Sequence, residues 1–150
     1  MKLQIISSRL IQALSRGDIA EANKLSGSVY SIRALVVHGN ELGRRLGFPT
    51  ANLEILDNQP LFLADGVYAV EINYNKAVYT GMANVGFRPT INGTKRMLEV
   101  NLFDFSGDLY GQTLVVLFIA RIRDEKKFDS LDELVAQIHL DKQQALTLLR

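Results

Sequence analysis

Hydrophobic spacing divides the chain into three stretches of different period. Near the start, Ile6, Leu10, Ile11 and Leu14 fall on one helical face, with Ser7 and Ser8 available as N-caps. Gly17 stops this helix, and Asp18 can cap a second short one through Ile19, Ala20, Ala22 and Leu25, ending near Gly27. Two such short helices bury little alone, so this arm is expected to pack on something else. From Ser28 the pattern turns from helical to alternating. SVYSIRALVVH is apolar and β-branched and reads as strand. HGNELGRRLGFPTANL reads as a Gly-punctuated loop, and Asn58-Gln59-Pro60 as a further turn or loop.

GVYAVEINY alternates cleanly and pairs with AVYTGMANVG as a hairpin around Asn73 to Lys76. FRPTINGTKR reads as a loop with an Asn92-Gly93 turn; MLEVNLFDF and TLVVLFIARI are strands on either side of a Ser106-Gly107-Asp108 turn. The end is helical again: Asp129 or Ser130 caps a stripe of Leu131, Leu134, Val135 and Ile138, Ser130 and Glu133 form a capping box, and Asp141 starts a final turn or two. Five or six short strands without long helices between them exclude βαβ spacing. An antiparallel barrel or sandwich with helices added at its ends is the economical solution.

Composition narrows the function classes. The chain has 150 residues, enough for one domain with an appendage, and 47% of them are hydrophobic. Lys and Arg number 17 against 16 Asp and Glu, a poor balance for holding nucleic acid by bulk charge. With no cysteine, disulfides and thiolate metal sites are excluded. The longest apolar run, Leu114 to Ala120, is strand-sized, and the first residues lack the apolar core of a signal peptide. A soluble cytoplasmic protein is expected, with neither a membrane nor a nucleic acid as partner.

Three segments could carry chemistry. Gly39, Gly43 and Gly47 flank Arg44 and Arg45 just before Phe48-Pro49-Thr50-Ala51-Asn52. Glycines let backbone N–H groups approach an anion, and arginines add charge and a planar fork. Thr50 and Asn52 supply neutral oxygens two residues apart, on one side if the chain is extended. Mg²⁺ prefers such hard ligands and shares them with phosphate and water. The segment is not a P-loop, since GxxxxGK(S/T) is missing. The same residues also suit a solvated Gly-rich surface loop. In MLEVNLFDF, one face is apolar and the other sets Glu99 between Met97, Asn101 and Phe103. A partly desolvated carboxylate there can serve as a general base, though a solvent-facing Glu fits the same pattern. Arg121 and Arg123 alternate onto one side of a strand end, where they could meet a phosphate or form local ion pairs. His38 and His139 lack metal-ligand spacing; the first reads as a strand end and the second as helix surface.

The strings VVHGNELGRRLGFPTANL, DGVYAV, YTGMANVGFRPT, LEVNLFDFSGDLYG and IRDEKKFDSLDELVAQI, in this order, resemble the riboflavin kinase family over about residues 28 to 145. That family occurs free-standing or as the C-terminal half of bifunctional riboflavin kinase/FAD synthetases. The resemblance implies a mainly β fold, a six-stranded antiparallel Greek-key barrel with a C-terminal helix, to which the residue pattern adds the N-terminal helical arm. It implies transfer of the γ-phosphoryl group of ATP to the ribityl 5′-hydroxyl of riboflavin, giving FMN and ADP. Under it, Glu99 is the catalytic base, and Thr50 and Asn52 hold Mg²⁺ (Zn²⁺ or Mn²⁺ being alternatives) with the ATP phosphates. Gly39, Arg44, Leu102, Asp104 and Tyr110 also face the nucleotide; Arg123, Lys126 and Phe128 face the flavin.

The sequence departs from the family pattern at several positions. Asn101 stands where many members carry His, and Ala34 replaces a common Gly. IISSRLIQAL resembles the I-S-S-T-x-I-R segment that ends the adenylyltransferase domain of bifunctional members, with Arg9 and Gln12 replacing its Thr and Arg. Residues 1–27 are thus expected to be a relic linker to an FMN adenylyltransferase, separate or formerly fused, and 28–150 the kinase domain. The alternatives are a catalytically weak flavin- or nucleotide-binding regulatory module and an RNA-binding barrel. The neutral charge and the lack of a basic-aromatic face oppose the latter.

Overall fold

A computed structural model describes residues 8–38, 50–57, 60–90 and 93–150. Helices α1 (Ser8–Ser15) and α2 (Ile19–Ser26) precede six strands: β1 (Ser31–Val37), β2 (Ala51–Ile55), β3 (Gly66–Tyr74), β4 (Ala77–Thr90), β5 (Gly93–Leu102) and β6 (Thr113–Arg123). Helix α3 (Leu131–Leu148) closes the chain. The strands form a closed barrel in the order β1-β2-β5-β4-β3-β6, every pair antiparallel. Strands β3, β4 and β5 run as a meander, with β2 returning beside β5 and β6 beside β3, so two Greek keys overlap. This is the barrel expected from the sequence.

Local signals explain most boundaries. Gly17 adopts φ 74° between the first two helices. The Asp18 side chain accepts the Glu21 N–H at 3.1 Å, capping α2. Asn75 and Lys76 both have positive φ, the requirement of the tight two-residue hairpin joining β3 and β4. At α3, Ser130 Oγ accepts the Glu133 N–H, while Glu133 Oε2 accepts the N–H of Asp129 rather than that of Ser130.

Three sequence expectations need correction. Of the stretch 87–96 read as a loop, residues 87–90 and 93–96 are strand, because β4 and β5 stay paired from Gly81↔Leu102 to Thr90↔Gly93. Pro89 is tolerated there because β4 has no β3 partner beyond Val85. The end of the Gly-punctuated segment is strand β2, which pairs with β1 through residues 52–55 and with β5 through residues 51–53. Asp141 starts no separate turn; it is buried in the middle of α3. The proposed cap Ser7 and the turn residues Asn58, Gln59 and Asn92 lie outside the described residues.

The barrel interior is filled by Ile32, Ala34, Val36, Leu53, Tyr68, Val70, Ile72, Ala83, Val85, Leu98, Val100, Leu114, Val116 and Phe118. Tyr68 and Phe118, both fully buried, meet edge to face at 5.6 Å. The helical arm packs on this core as expected: Ala13, Leu14, Ile19 and Ala22 join it, Asn23 donates to Phe118 O at 3.1 Å and accepts the Tyr30 N–H at 2.8 Å. A second, smaller cluster lies outside the barrel, where Ala145 and Ile138 of α3 cover Val67, Ala69, Met82 and Phe103.

Strand β6 carries two irregularities against β3, between Val67/Tyr68 and between Ala69/Val70. Each inserts one residue and reverses which side the following side chains face. Arg121 therefore turns beneath Tyr68, donating to Asp65 O and Asp124, whereas Arg123 turns outward to α3. The two arginines do not share a side. Gly66 begins β3 opposite this distortion with φ 151°, and a Cβ there would lie 2.6 Å from Arg123 O.

Arg96 braces the approach to β3. It donates to Leu61 O, Leu63 O and Asp65 Oδ1 and lies over the Phe87 ring. Near it, the Tyr30 hydroxyl is buried and approaches the Phe62 backbone without a sound hydrogen bond. Burial pushes this phenol up to about 12, the nearby backbone and the Arg96 charge offsetting only part of the effect. A phenol raised in the folded state stabilises fully below its unfolded value of about 10 and loses that contribution as pH climbs through its folded value. Tyr30→Phe is expected to remove this part of the alkaline decline. Urea denaturation from about pH 9 to about pH 12 should show a smaller loss in the variant; equal declines would contradict burial of the hydroxyl.

Candidate active site

Directly paired residues on neighbouring strands point to the same side of a sheet, with Cβ atoms about 5 Å apart. Leu53, Leu98 and Val85 pair across β2, β5 and β4 and face the core. The next row therefore faces outward: Asn52 of β2 is opposite Glu99 of β5, and Glu99 is opposite Asn84 of β4. The row continues to Val37 of β1 on one side, and through Val67 of β3 to Arg123 of β6 on the other. Glu99 is thus a half-buried carboxylate with an amide on each flank. Asn52 is 7% exposed, and Asn101, two residues along β5 on the same side as Glu99, is equally buried.

At the β1–β2 end of the row, Thr50 immediately precedes β2 and is half-buried. His38 follows β1 and stacks on Tyr110, ring centroids 3.6 Å apart. The Tyr110 turn is tied to β1 by Gly111 N–H to Val36 O and Val36 N–H to Gln112 O. Asp108 Oδ1 accepts the Tyr110 N–H at 2.9 Å. Leu102 packs on the core at the end of β5, and Asp104 follows it, exposed and with φ 54°.

At the β3–β6 end, Arg123 makes a two-point ion pair with Asp141 of α3, Nε to Oδ1 and Nη2 to Oδ2 each 2.8 Å. Gln137 also donates to Asp141 Oδ1 at 2.9 Å. The guanidinium lies 5.7 Å from the Phe128 ring centroid, and Lys126 Nζ lies 5.5 Å from the same ring.

The arrangement offers hard oxygen donors beside a carboxylate at one end and a cationic, aromatic cluster at the other. The riboflavin kinase family model, described as Flavokinase, matches residues 26–149. The chain belongs to the riboflavin kinase family. It is similar to the bifunctional riboflavin kinase/FMN adenylyltransferase of Bacillus subtilis (strain 168), 42% identical over 146 residues, covering 95% of this chain and 46% of that protein. The protein of the same description from Haemophilus influenzae is 44% identical over 143 residues, with the same coverage. The chain spans about half the length of these curated relatives. The solved riboflavin kinase from Trypanosoma brucei superposes with TM-score 0.56 at 28% identity, covering 79% of this chain and 78% of that one. A Streptococcus pneumoniae chain described as a macrolide-efflux protein superposes with TM-score 0.85 at 47% identity, covering 92% of this chain and 45% of that one.

Of the residues singled out by family resemblance, the fold brings Asn52 and Glu99 into direct register and sets Thr50 beside them. Arg123, Lys126 and Phe128 form one cluster. Leu102 ends β5, Asp104 follows it and Tyr110 lies in the turn before β6, while Gly39 and Arg44 lie outside the described residues. Sequence reasoning missed Asn84, His38 as a ring partner, and Asp141 as the anchor of Arg123. The signal for Asn84 was present, since it is the one polar side chain between Gly81 and Gly86.

The Arg123–Asp141 pair is largely shielded, with the two side chains 18% and 3% exposed. Removing one member of such a pair leaves an uncompensated buried charge. Asp141→Ala is expected to cost about 3–5 kcal/mol in urea denaturation. A loss within about 1 kcal/mol, the range of exposed pairs, would mean that the bridge is solvated.

Proposed function

We propose that the chain phosphorylates riboflavin, transferring the γ-phosphoryl group of ATP to the ribityl 5′-hydroxyl and releasing FMN and ADP. The observation that carries this reading is the register Asn52↔Glu99, a buried neutral oxygen donor next to a half-buried carboxylate on the outer barrel face. Such an acceptor hydroxyl must be held and deprotonated while the phosphates are held in line with it.

The donor set suits a divalent cation. Asn52 and Thr50 offer uncharged hard oxygens, the chemistry of a Mg²⁺ shared with phosphate rather than enclosed by protein; Zn²⁺ or Mn²⁺ would accept the same atoms. Bound there, such an ion would neutralise phosphate charge. Glu99 orients the 5′-hydroxyl and takes its proton as the oxygen–phosphorus bond forms and the bond to the ADP oxygen breaks. The stacked Tyr110 and His38 rings, with Leu102 and Asp104, line the nucleotide side, along with Gly39 and Arg44. Phe128, Lys126 and Arg123 receive the flavin, Arg123 held in place by Asp141. A binding module without turnover would have no use for a carboxylate set between two amides. In the same reading, residues 1–27 derive from the linker to an FMN adenylyltransferase, in keeping with the double name of the relatives.

Riboflavin, ATP and Mg²⁺ incubated with the protein should yield FMN on chromatography. Glu99→Gln is expected to lower kcat by about 10²–10⁴-fold while retaining riboflavin binding. Turnover at the parent rate would remove Glu99 from the role of base.

A further inference from the structure

We infer that Asn84 is a further substrate-binding residue, its side-chain amide hydrogen-bonding an interior hydroxyl of the ribityl chain, 2′ or 3′, on the flavin side of Glu99. The inference rests on the riboflavin reading above. Three observations lead to it.

The first is order around the barrel. The outward row runs Asn52, Glu99, Asn84, Val67, Arg123. The phosphate-side donor is at one end, the flavin-side cation at the other, and Asn84 lies between the carboxylate and the flavin end.

The second is length. Neighbouring strands are about 4.8 Å apart, so Asn84 stands one strand from Glu99 and Arg123 stands three strands away, about 14 Å. An extended five-carbon chain spans about 5 Å by ordinary C–C bond lengths. A 5′-hydroxyl at Glu99 therefore brings the far half of the ribityl chain over Asn84. The ring system then extends toward the Arg123–Phe128 cluster, past Val67, which α3 covers.

The third is an unpaired atom. Asn84 Oδ1 is buried and has no hydrogen-bond partner. A buried acceptor left without a donor is costly and calls for a partner. A sugar-alcohol hydroxyl is the donor that this position lacks, and the amide N–H₂ can serve a second hydroxyl in return. The position is also anomalous in sequence, an amide in the apolar run Met82-Ala83-Asn84-Val85. An inward-facing residue at this point in the strand would join the core; Asn84 faces the row.

The test is equilibrium binding, followed by quenching of flavin fluorescence with ADP and Mg²⁺ present. The ligands are riboflavin, its 2′-deoxy and 3′-deoxy analogues, and lumiflavin, which has no ribityl chain. Asn84→Ala should weaken riboflavin binding about 3- to 10-fold. It should leave lumiflavin unchanged and bind one of the deoxy analogues as well as the parent protein does. Asn84→Ser, which keeps a short hydroxyl, should recover part of the loss, and stands in for Asn84→Ala if that variant does not fold. In turnover the KM for riboflavin should rise and that for ATP should not. Equal weakening of all four ligands would mark a structural role and overturn the proposal, as would unchanged riboflavin affinity. Because this readout needs no turnover, a parent protein that binds riboflavin without making FMN would sink the kinase reading alone. A parent that binds no riboflavin would sink both.

Discussion

The register of a closed antiparallel barrel is the constraint on which everything else depends. With six strands joined edge to edge, no strand can slip without breaking pairs on both of its sides. A shift of β5 by one residue would drive Glu99 into the packed interior and expose Leu98, buried at 1%. The apolar core thereby determines where the polar row sits. Burying Leu53, Leu98 and Val85 inside forces Asn52, Glu99 and Asn84 outside, side by side. The interior is filled with side chains, so ligand chemistry falls to the outer face.

That outer face is divided between two uses. Over β3, β4 and β6 it is apolar and covered by α3, through Ala145 and Ile138 against Val67, Ala69 and Met82. Beside that cover it is polar and carries the row. Arg123 belongs to both parts, since it ends the row and binds Asp141 of α3. The helix is therefore more than a lid on apolar surface. Its buried carboxylate holds a cation at the edge of the site, and Phe128 packs against that cation from the connecting segment. The bulges in β6 make this possible, because they send Arg121 under Tyr68 to secure the barrel end and free Arg123 for the outer side.

Much of this was legible in the chain. Alternation in GVYAVEINY and MLEVNLFDF announced β3 and β5, and the caps Asp18 and Ser130 and the stop at Gly17 act through their own local chemistry. These are short-range effects, and a sequence displays short-range effects directly. The loop reading of 87–96 misled because Pro and Gly are turn signals whatever strand lies beside them; at residues 87–90 and 93–96 pairing between β4 and β5 outweighs them. Strand β2 was obscured for the same reason, its extended form being set by two neighbours rather than by its own five residues.

The site divides along the same line. Thr50, Asn52 and Glu99 could be picked out as oxygen donors and a carboxylate from residue type and family likeness. That Glu99 has Asn84 on its other flank could not, because those residues meet only through the β4–β5 ladder, 15 positions apart. Nor could the chain alone assign Asp141 to Arg123, or set Arg121 and Arg123 on opposite sides, since the one residue inserted between them in β6 breaks the simple alternation. Residue chemistry and local period were therefore determined by the sequence alone. Which groups face one another was decided by tertiary structure, because strand register is a property of pairs and no single segment contains it.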